Sequence, residues 1–348
     1  MIRVGIAGCG KIAQVRHLPE YKAHPDAQIF GLFDLNRERA GSLAREYGAK
    51  VYDSYEAMLA DPSIDAVSVC AANAAHADMT VAALNAGKHV LCEKPMATTL
   101  ADCERMVRTA RDSGKTLMIG MNQRLAAAHV KARELIEAGA IGRVITFTVA
   151  FRHCGPETWS VDSGANTWFF DKSKAAMGVM ADLGVHKTDL IQFLTGQTIT
   201  EVTACLSTLD KKYADGTPIS VDDNAACIYR LSGGAVGTMA ASWTDYWGED
   251  NSTVLYGTEG VMRIYENPAH SIVLQKRGAG EEFFDLDPMQ TNDAQHKSGV
   301  IDLFVNHLMN PKKPCISGES VLTAMRAVFA AEESSRTGRA VRINESDQ

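Results

Sequence analysis

The sequence predicts a two-part α/β protein, an N-terminal doubly wound parallel sheet followed by a C-terminal α/β domain on a large, mostly antiparallel open sheet. Three observations predict it. Short apolar runs alternate with helical stretches through the first third of the chain, and a glycine turn follows the first run. From Gly142 onward the runs lengthen and fill with Val, Thr and aromatic residues. At 348 residues and 46% hydrophobic content the chain can build two cores. We expect the division at residues 1–122 and 123–348, with room for a late helix to return to the first domain.

Taken in order, strands are expected at 2–7, 29–33, 66–70, 89–92 and 116–119. Helices fall between them at 37–47, 76–86 and 100–113, the last two stopped by Gly87 and Gly114. A further helix is expected at 128–138 before Gly139. The second sheet then takes residues 144–151, 199–207, 223–231, 236–242 and 252–256, with Ser232-Gly233-Gly234 as a hairpin turn. Helices at 300–309 and 320–333 flank a Pro311–Pro314 loop.

The start of the chain holds the first functional signal. Ile2, Val4 and Ile6 lead into Gly8-Cys9-Gly10-Lys11-Ile12-Ala13, a G-x-G-x-x-A turn. Gly8 allows the tight turn, Gly10 lets backbone approach a pyrophosphate, and Ala13 lets the next helix sit close to the sheet. Lys11 and Ile12 complete the turn into a helix whose N–H groups face the phosphates. Asp34 ends the second run 26 positions past Gly8, where an acid accepts ribose hydroxyls. These features predict a dinucleotide site for NAD, and Arg37 beside Asp34 leaves NADP open.

Bulk properties narrow the partners. A net charge of −7 and the lack of a Lys/Arg run exclude an electrostatic footprint for nucleic acid or a membrane surface. A strand pattern beginning at Ile2 and the lack of a spanning apolar stretch point to a cytoplasmic protein. The eight cysteines show no C-x-x-C spacing and several lie in apolar runs, so packed thiols are expected rather than a metal site.

Two segments hold more chemistry than a core needs. In Gly87-Lys88-His89-Val90-Leu91-Cys92-Glu93-Lys94-Pro95 a buried-looking strand ends in an acid and a cation. Strand C-termini in open α/β sheets face the ligand crevice, which aims Glu93 and Lys94 at the cofactor. In the segment 178–189, a helical reading puts Asp182, His186 and Asp189 on one face, with Asp182 orienting His186 as a proton acceptor. On the residues alone, a solvated strand-end lysine and a helix-surface Asp–His pair stay open as readings.

Together, Gly8-Cys9-Gly10, Glu93-Lys94-Pro95 and Asp182-x-Gly184-x-His186-x-x-Asp189 resemble the Gfo/Idh/MocA family of glucose-fructose oxidoreductase and inositol dehydrogenase-like proteins. The resemblance implies an N-terminal Rossmann domain and a C-terminal sheet used for oligomerisation, hence a homodimer or homotetramer. It implies hydride transfer between NAD or NADP and a secondary alcohol of a sugar, inositol or related polyol. By it Lys94, Asp182 and His186 match the catalytic trio, Asn73 and His76 a cofactor-lining loop, and Asn122-Gln123-Arg124 a segment near the active site, with Arg124 on the cofactor side. Ala72 stands where a proline is common, and Met177 where a second glycine is common. Residues 152–171, with Trp159, Trp168 and Phe169, fall where substrate contacts vary. An NAD-using glycoside hydrolase or eliminase and a non-catalytic dinucleotide-binding regulator are the rival readings.

Overall fold

The computed structural model describes residues 1–287 and 297–343, so the expected second domain ends outside the described residues. The first half runs β1 (Ile2–Ala7), α1 (Leu18–Ala23), β2 (Ala27–Phe33), α2 (Arg37–Tyr47), β3 (Lys50–Val51), α3 (Tyr55–Ala60), β4 (Ala66–Val69), α4 (His76–Asn85), β5 (His89–Cys92), α5 (Leu100–Ser113) and β6 (Leu117–Ile119). Its six strands pair in parallel in the order β3-β2-β1-β4-β5-β6. Strand order reverses beside β1, and a crevice opens there at the C-terminal strand ends. Local signals explain the helix bounds. In α5, Thr99 Oγ1 accepts the Asp102 N–H at 3.1 Å, and Gly114 closes the last turn at φ 63°. The two-residue β3 and six-residue α3 are too short to show a period and were not anticipated.

The chain then forms α6 (Ala127–Glu137), β7 (Val144–Arg152), α7 (Lys172–Ala175), α8 (Val185–Thr195), β8 (Ile199–Ser207), β9 (Asn224–Leu231), β10 (Val236–Ser242), β11 (Thr253–Gly257), β12 (Gly260–Ile264), β13 (Ile272–Lys276), β14 (Gly280–Phe284), α9 (Val300–Met309), α10 (Gly318–Thr337) and β15 (Val341–Arg342). The nine strands order as β14-β13-β12-β11-β7-β10-β9-β8-β15. Among the described residues only β7 and β10 pair in parallel in this sheet.

Alternation along these strands sorts the two faces. Phe147, Val149, Met239 and Tyr229 are buried on the face covered by α8 and α10. On the other face Thr148, Thr238, Ile228 and Thr203 lie side by side across four strands, and all are exposed. The last helix, α10, packs on β8 and α8 and also on α5 and β6, so it spans both sheets. Five of the eight cysteines are buried, and all eight are free thiols. Among the described residues no helix is long and apolar enough to cross a membrane.

Candidate active site

A cavity of about 650 Å3 joins the two sheets, running from the glycine turn to the strand ends and across to the second domain. Gly8, Gly10, Lys11, Ile12 and Asp34 line it. Gly8 has φ 94°, and a Cβ there would lie 2.6 Å from the Cys70 and Ala71 backbone. Among the described residues nothing lies within 4 Å of where a Gly10 Cβ would stand, so backbone there is open to a ligand. Asp34 accepts the Cys9 N–H at 2.6 Å and the Asn36 N–H at 2.7 Å. Each carboxylate oxygen keeps a second lone pair for a ribose hydroxyl. The open turn, the acid and the strand-end crevice fit a dinucleotide. Ala13 is wholly buried under this turn rather than in the cavity wall.

The end of β5 is held by buried charge. Glu93 Oε1 lies 2.9 Å from His17 Nε2 and 3.6 Å from Arg16 Nη1, both on a π-helical turn, Ala13–His17, that follows the glycine turn. Burial pushes the Glu93 carboxyl up, but the His17 hydrogen bond and the Arg16 charge outweigh it and hold it down to about 2. Gly120 backs onto this carboxylate, where a Cβ would stand 2.9 Å from Oε1. His76 lies between two carbonyls, with Nδ1 2.7 Å from Pro95 O and Nε2 3.0 Å from Ala71 O. Burial holds its ring below the ordinary pKa, so the neutral ring has one N–H and donates to one of these two carbonyls. Asn73 Nδ2 donates to Ala175 O at 3.1 Å and ties its loop to the second domain.

Lys94 Nζ donates to Asp182 Oδ1 at 2.7 Å and to the Asp182 carbonyl at 2.9 Å. Trp243 Nε1 donates to Asp182 Oδ2 at 3.1 Å. Both carboxylate oxygens therefore hold Lys94 and Trp243, and neither bonds His186, contrary to the sequence expectation. The reason is local: Met180–Gly184 is a π-helical turn that leads into α8, so a residue four places on no longer lies over Asp182. Asp222 sets that turn by accepting the Gly178 and Met180 N–H groups at 2.8 Å each. A Gly178 Cβ would lie 1.9 Å from Asp222 O, so only glycine fits there. Burial raises the Asp182 carboxyl, yet Lys94 and His153 hold it below its usual value. The buried His186 ring is pushed well below the ordinary histidine range, first by burial and then by the Lys94 charge. Its Nδ1 is buried and has no hydrogen-bond partner among the described residues.

Lys94, Asp182 and His186 share the cavity wall with Glu93, Asn73 and His76. Arg37 and Arg124 stand outside it, against expectation. Arg37 pairs with Asp53 on the exposed first turn of α2, while Arg39, two residues on, lines the cavity. Arg124 forks onto Asp189, with Nε to Oδ2 at 2.7 Å and Nη2 to Oδ1 at 2.5 Å, and reaches Ser320 on α10. That pair fastens α8 to the turn after β6.

The sequence reading missed His153, just past the end of β7, which lines the cavity. Gly155 donates its N–H to His153 Nδ1 at 3.0 Å, leaving the ring proton on Nε2. A polar residue ending an apolar strand was the available signal. Trp159, Trp168 and Phe169 also line the cavity, with Trp168 and Phe169 stacked at 3.9 Å between centroids. The far wall adds Gln123 and His129. Gln123 Nε2 donates to Asn251 Oδ1 at 3.2 Å, and His129 Nδ1 donates to Gln123 O at 2.7 Å. Gln123 Oε1 and His129 Nε2 are then buried acceptors without a partner among the described residues, and the Trp159 Nε1–H is a donor in the same state.

Two family models match the chain. One, described as "Oxidoreductase family, NAD-binding Rossmann fold", covers residues 2–121, and the other, described as "GFO/IDH/MocA C-terminal domain", covers residues 129–263. The chain is similar to the myo-inositol 2-dehydrogenase of Thermotoga maritima, 26% identical over 352 residues that span 99% of each chain. It is also similar to the dTDP-3,4-didehydro-2,6-dideoxy-alpha-D-glucose 3-reductase of Streptomyces violaceoruber, 30% identical over 79% of this chain and 77% of that one. A solved structure, the oxidoreductase domain protein from Kribbella flavida, matches with a TM-score of 0.87 at 25% identity, covering 99% of this chain and 100% of that one.

Proposed function

The chain belongs to the GFO/IDH/MocA oxidoreductase family, and from that premise we propose that its Lys94–Asp182–His186 cluster oxidises or reduces a ring carbinol of a sugar, inositol or related polyol. The observation that carries this reading is Lys94 Nζ, fixed by two contacts to Asp182 in the same cavity wall as the neutral His186. Gly8, Gly10 and Asp34 would hold the pyrophosphate and ribose of NAD. Bound NAD supplies the two-electron acceptor.

The chain's own residues handle the proton and the charge. Two of the three Lys94 N–H groups go to Asp182, and the third is left for the carbinol oxygen, where it stabilises developing negative charge. His186 is uncharged near pH 7 because burial and Lys94 disfavour the imidazolium. With Nδ1 buried, Nε2 is the nitrogen left to take the hydroxyl proton. In the reverse direction the same nitrogen returns it. His153 Nε2–H, on a ring that lines the cavity, adds a neutral donor. Hydroxyl oxygens of a ligand can accept from it and from Lys94, whereas an apolar ring would leave these donors unpaired at a cost of about 1–3 kcal/mol each. These contacts support a polyol substrate. The relatives named above act on an inositol and on a nucleotide-linked sugar.

The uncovered face of the nine-stranded sheet supports a homodimer or homotetramer closed face to face. Free cysteines throughout support a cytoplasmic setting.

The test is a panel of inositols, aldoses and anhydrosugars offered with NAD and NADP, read at the absorbance of the reduced nicotinamide. Net reduced nucleotide is expected with at least one polyol. His186→Ala should lower that turnover by roughly 100-fold while nucleotide affinity is kept. Sugar cleavage without net reduced nucleotide would replace the dehydrogenase by the hydrolase reading.

A further inference from the structure

One ion pair beside the glycine turn crosses from the first domain to the second. Arg39 on α2 places Nη2 2.6 Å from Oδ1 of Asp162, which lies in the loop between β7 and α7. Both residues line the cavity, as do Asp34 and Leu35. A second sign of position is electrostatic: burial and the Asp34 charge raise the Cys9 thiol, and the Arg39 charge opposes them. Arg39 therefore sits near the turn that carries Cys9 and near the acid that meets the ribose. The neighbouring Arg37 is turned away and paired with Asp53.

A 2′-phosphate on the adenosine ribose brings about two negative charges and asks for a guanidinium, whereas a bare 2′-hydroxyl asks only for an acceptor. Arg39 is the guanidinium of this wall, and Asp162 already holds it. We propose that Asp162 is a cofactor-specificity residue, which makes the chain favour NAD over NADP by occupying Arg39 beside Asp34 at the ribose end. This rests on the dinucleotide reading of the cavity. A phosphate entering here must displace one carboxylate from Arg39 and face another on Asp34. The Asp162 side chain is 59% exposed and that of Arg39 21%, so solvent screens the pair and its effect is moderate. The loop holding Asp162 also supplies Ser160 and Val161 to the cavity, so the specificity element comes from outside the nucleotide-binding domain.

The experiment is titration of NAD and NADP, by calorimetry or by quenching of tryptophan fluorescence, into the unmodified protein, Asp162→Asn, Arg39→Gln and the double variant, at low and physiological salt. The ratio of the NADP to the NAD dissociation constant should fall by about threefold to tenfold in Asp162→Asn, and the fall should shrink with added salt. Arg39→Gln should raise the ratio, and the double variant should lose the gain seen in Asp162→Asn. Asp162→Asn weakening both nucleotides alike would overturn the proposal and make the pair only a fastener of the loop. A gain that persists in the Arg39→Gln background would overturn the route through Arg39. Tighter NADP than NAD binding by the unmodified protein would also overturn it. Binding of neither nucleotide would instead remove the dinucleotide reading on which it rests.

Discussion

Replacing Asp182 by Asn tests whether this carboxylate works through Lys94 or through His186. The side chain keeps its shape, but an amide accepts at one end and donates at the other. It can serve Lys94 Nζ at 2.7 Å or Trp243 Nε1 at 3.1 Å, not both. At that distance and an effective dielectric of about 20, the Lys94–Asp182 attraction is roughly 6 kcal/mol, much of it offset by the cost of burying both charges. The net loss is that of one charge-assisted hydrogen bond in a buried pair, about 2–3 kcal/mol. If it falls on the transition state, kcat/KM drops roughly 30- to 150-fold. The assay is single-turnover reduction of NAD with a confirmed polyol, alongside nucleotide titration, in Asp182→Asn, Lys94→Ala and the double variant. Once Lys94 is gone, the further cost of Asp182→Asn should collapse to within about threefold. A cost of the full 30-fold or more in the Lys94→Ala background would refute the geometry argued above and return Asp182 to His186.

Three further outcomes are expected. Ala176 stands at φ 66° and ψ −60°, a strained conformation for a side-chain-bearing residue, so Ala176→Gly should raise the unfolding free energy by about 1 kcal/mol in urea, and a lower midpoint would refute this. Burial and Lys187 push the His129 ring down to about 3. An unfolded histidine takes its proton near its ordinary value, so this contribution is complete above about pH 6.5 and is lost as pH falls towards 3, up to about 5 kcal/mol. His129→Phe should flatten stability against pH over that window, and an unchanged slope would count against it. On the open sheet face, Ile228→Lys with Thr238→Lys should convert a dimer or tetramer to monomer in sedimentation; an unmodified protein that is monomeric at micromolar concentration would remove the proposed interface.

The fold was legible because its signals are local. Apolar runs of four to seven residues, caps such as Thr99 and glycine stops such as Gly114 act within a few positions, and they place β1, β5, α2 and α5 where they occur. The two-residue β3 is too short to show a period, and β12 to β14 escaped notice because these five-residue strands of consecutive hairpins mix Arg263, Gln275, Lys276, Glu281 and Glu282 into short apolar runs. At the site, Gly8, Asp34 and Lys94 were readable from their places at strand ends. Asp182 and His186 were readable as residues, but their relation was not, since a π-helical turn has no spacing signature in the sequence.

By itself the sequence determined the two-part architecture and the dinucleotide turn, because hydrophobic period and turn chemistry are properties of neighbouring residues. Only the tertiary structure decided what each charged group does. Arg124 and Asp189 satisfy each other across 65 positions, Asp182 answers Lys94 across 88, and Asp162 answers Arg39 across 123. A buried or half-buried charge takes whichever counter-charge the fold brings within hydrogen-bond reach, and that pairing is set by how the two sheets and α10 close around the cavity.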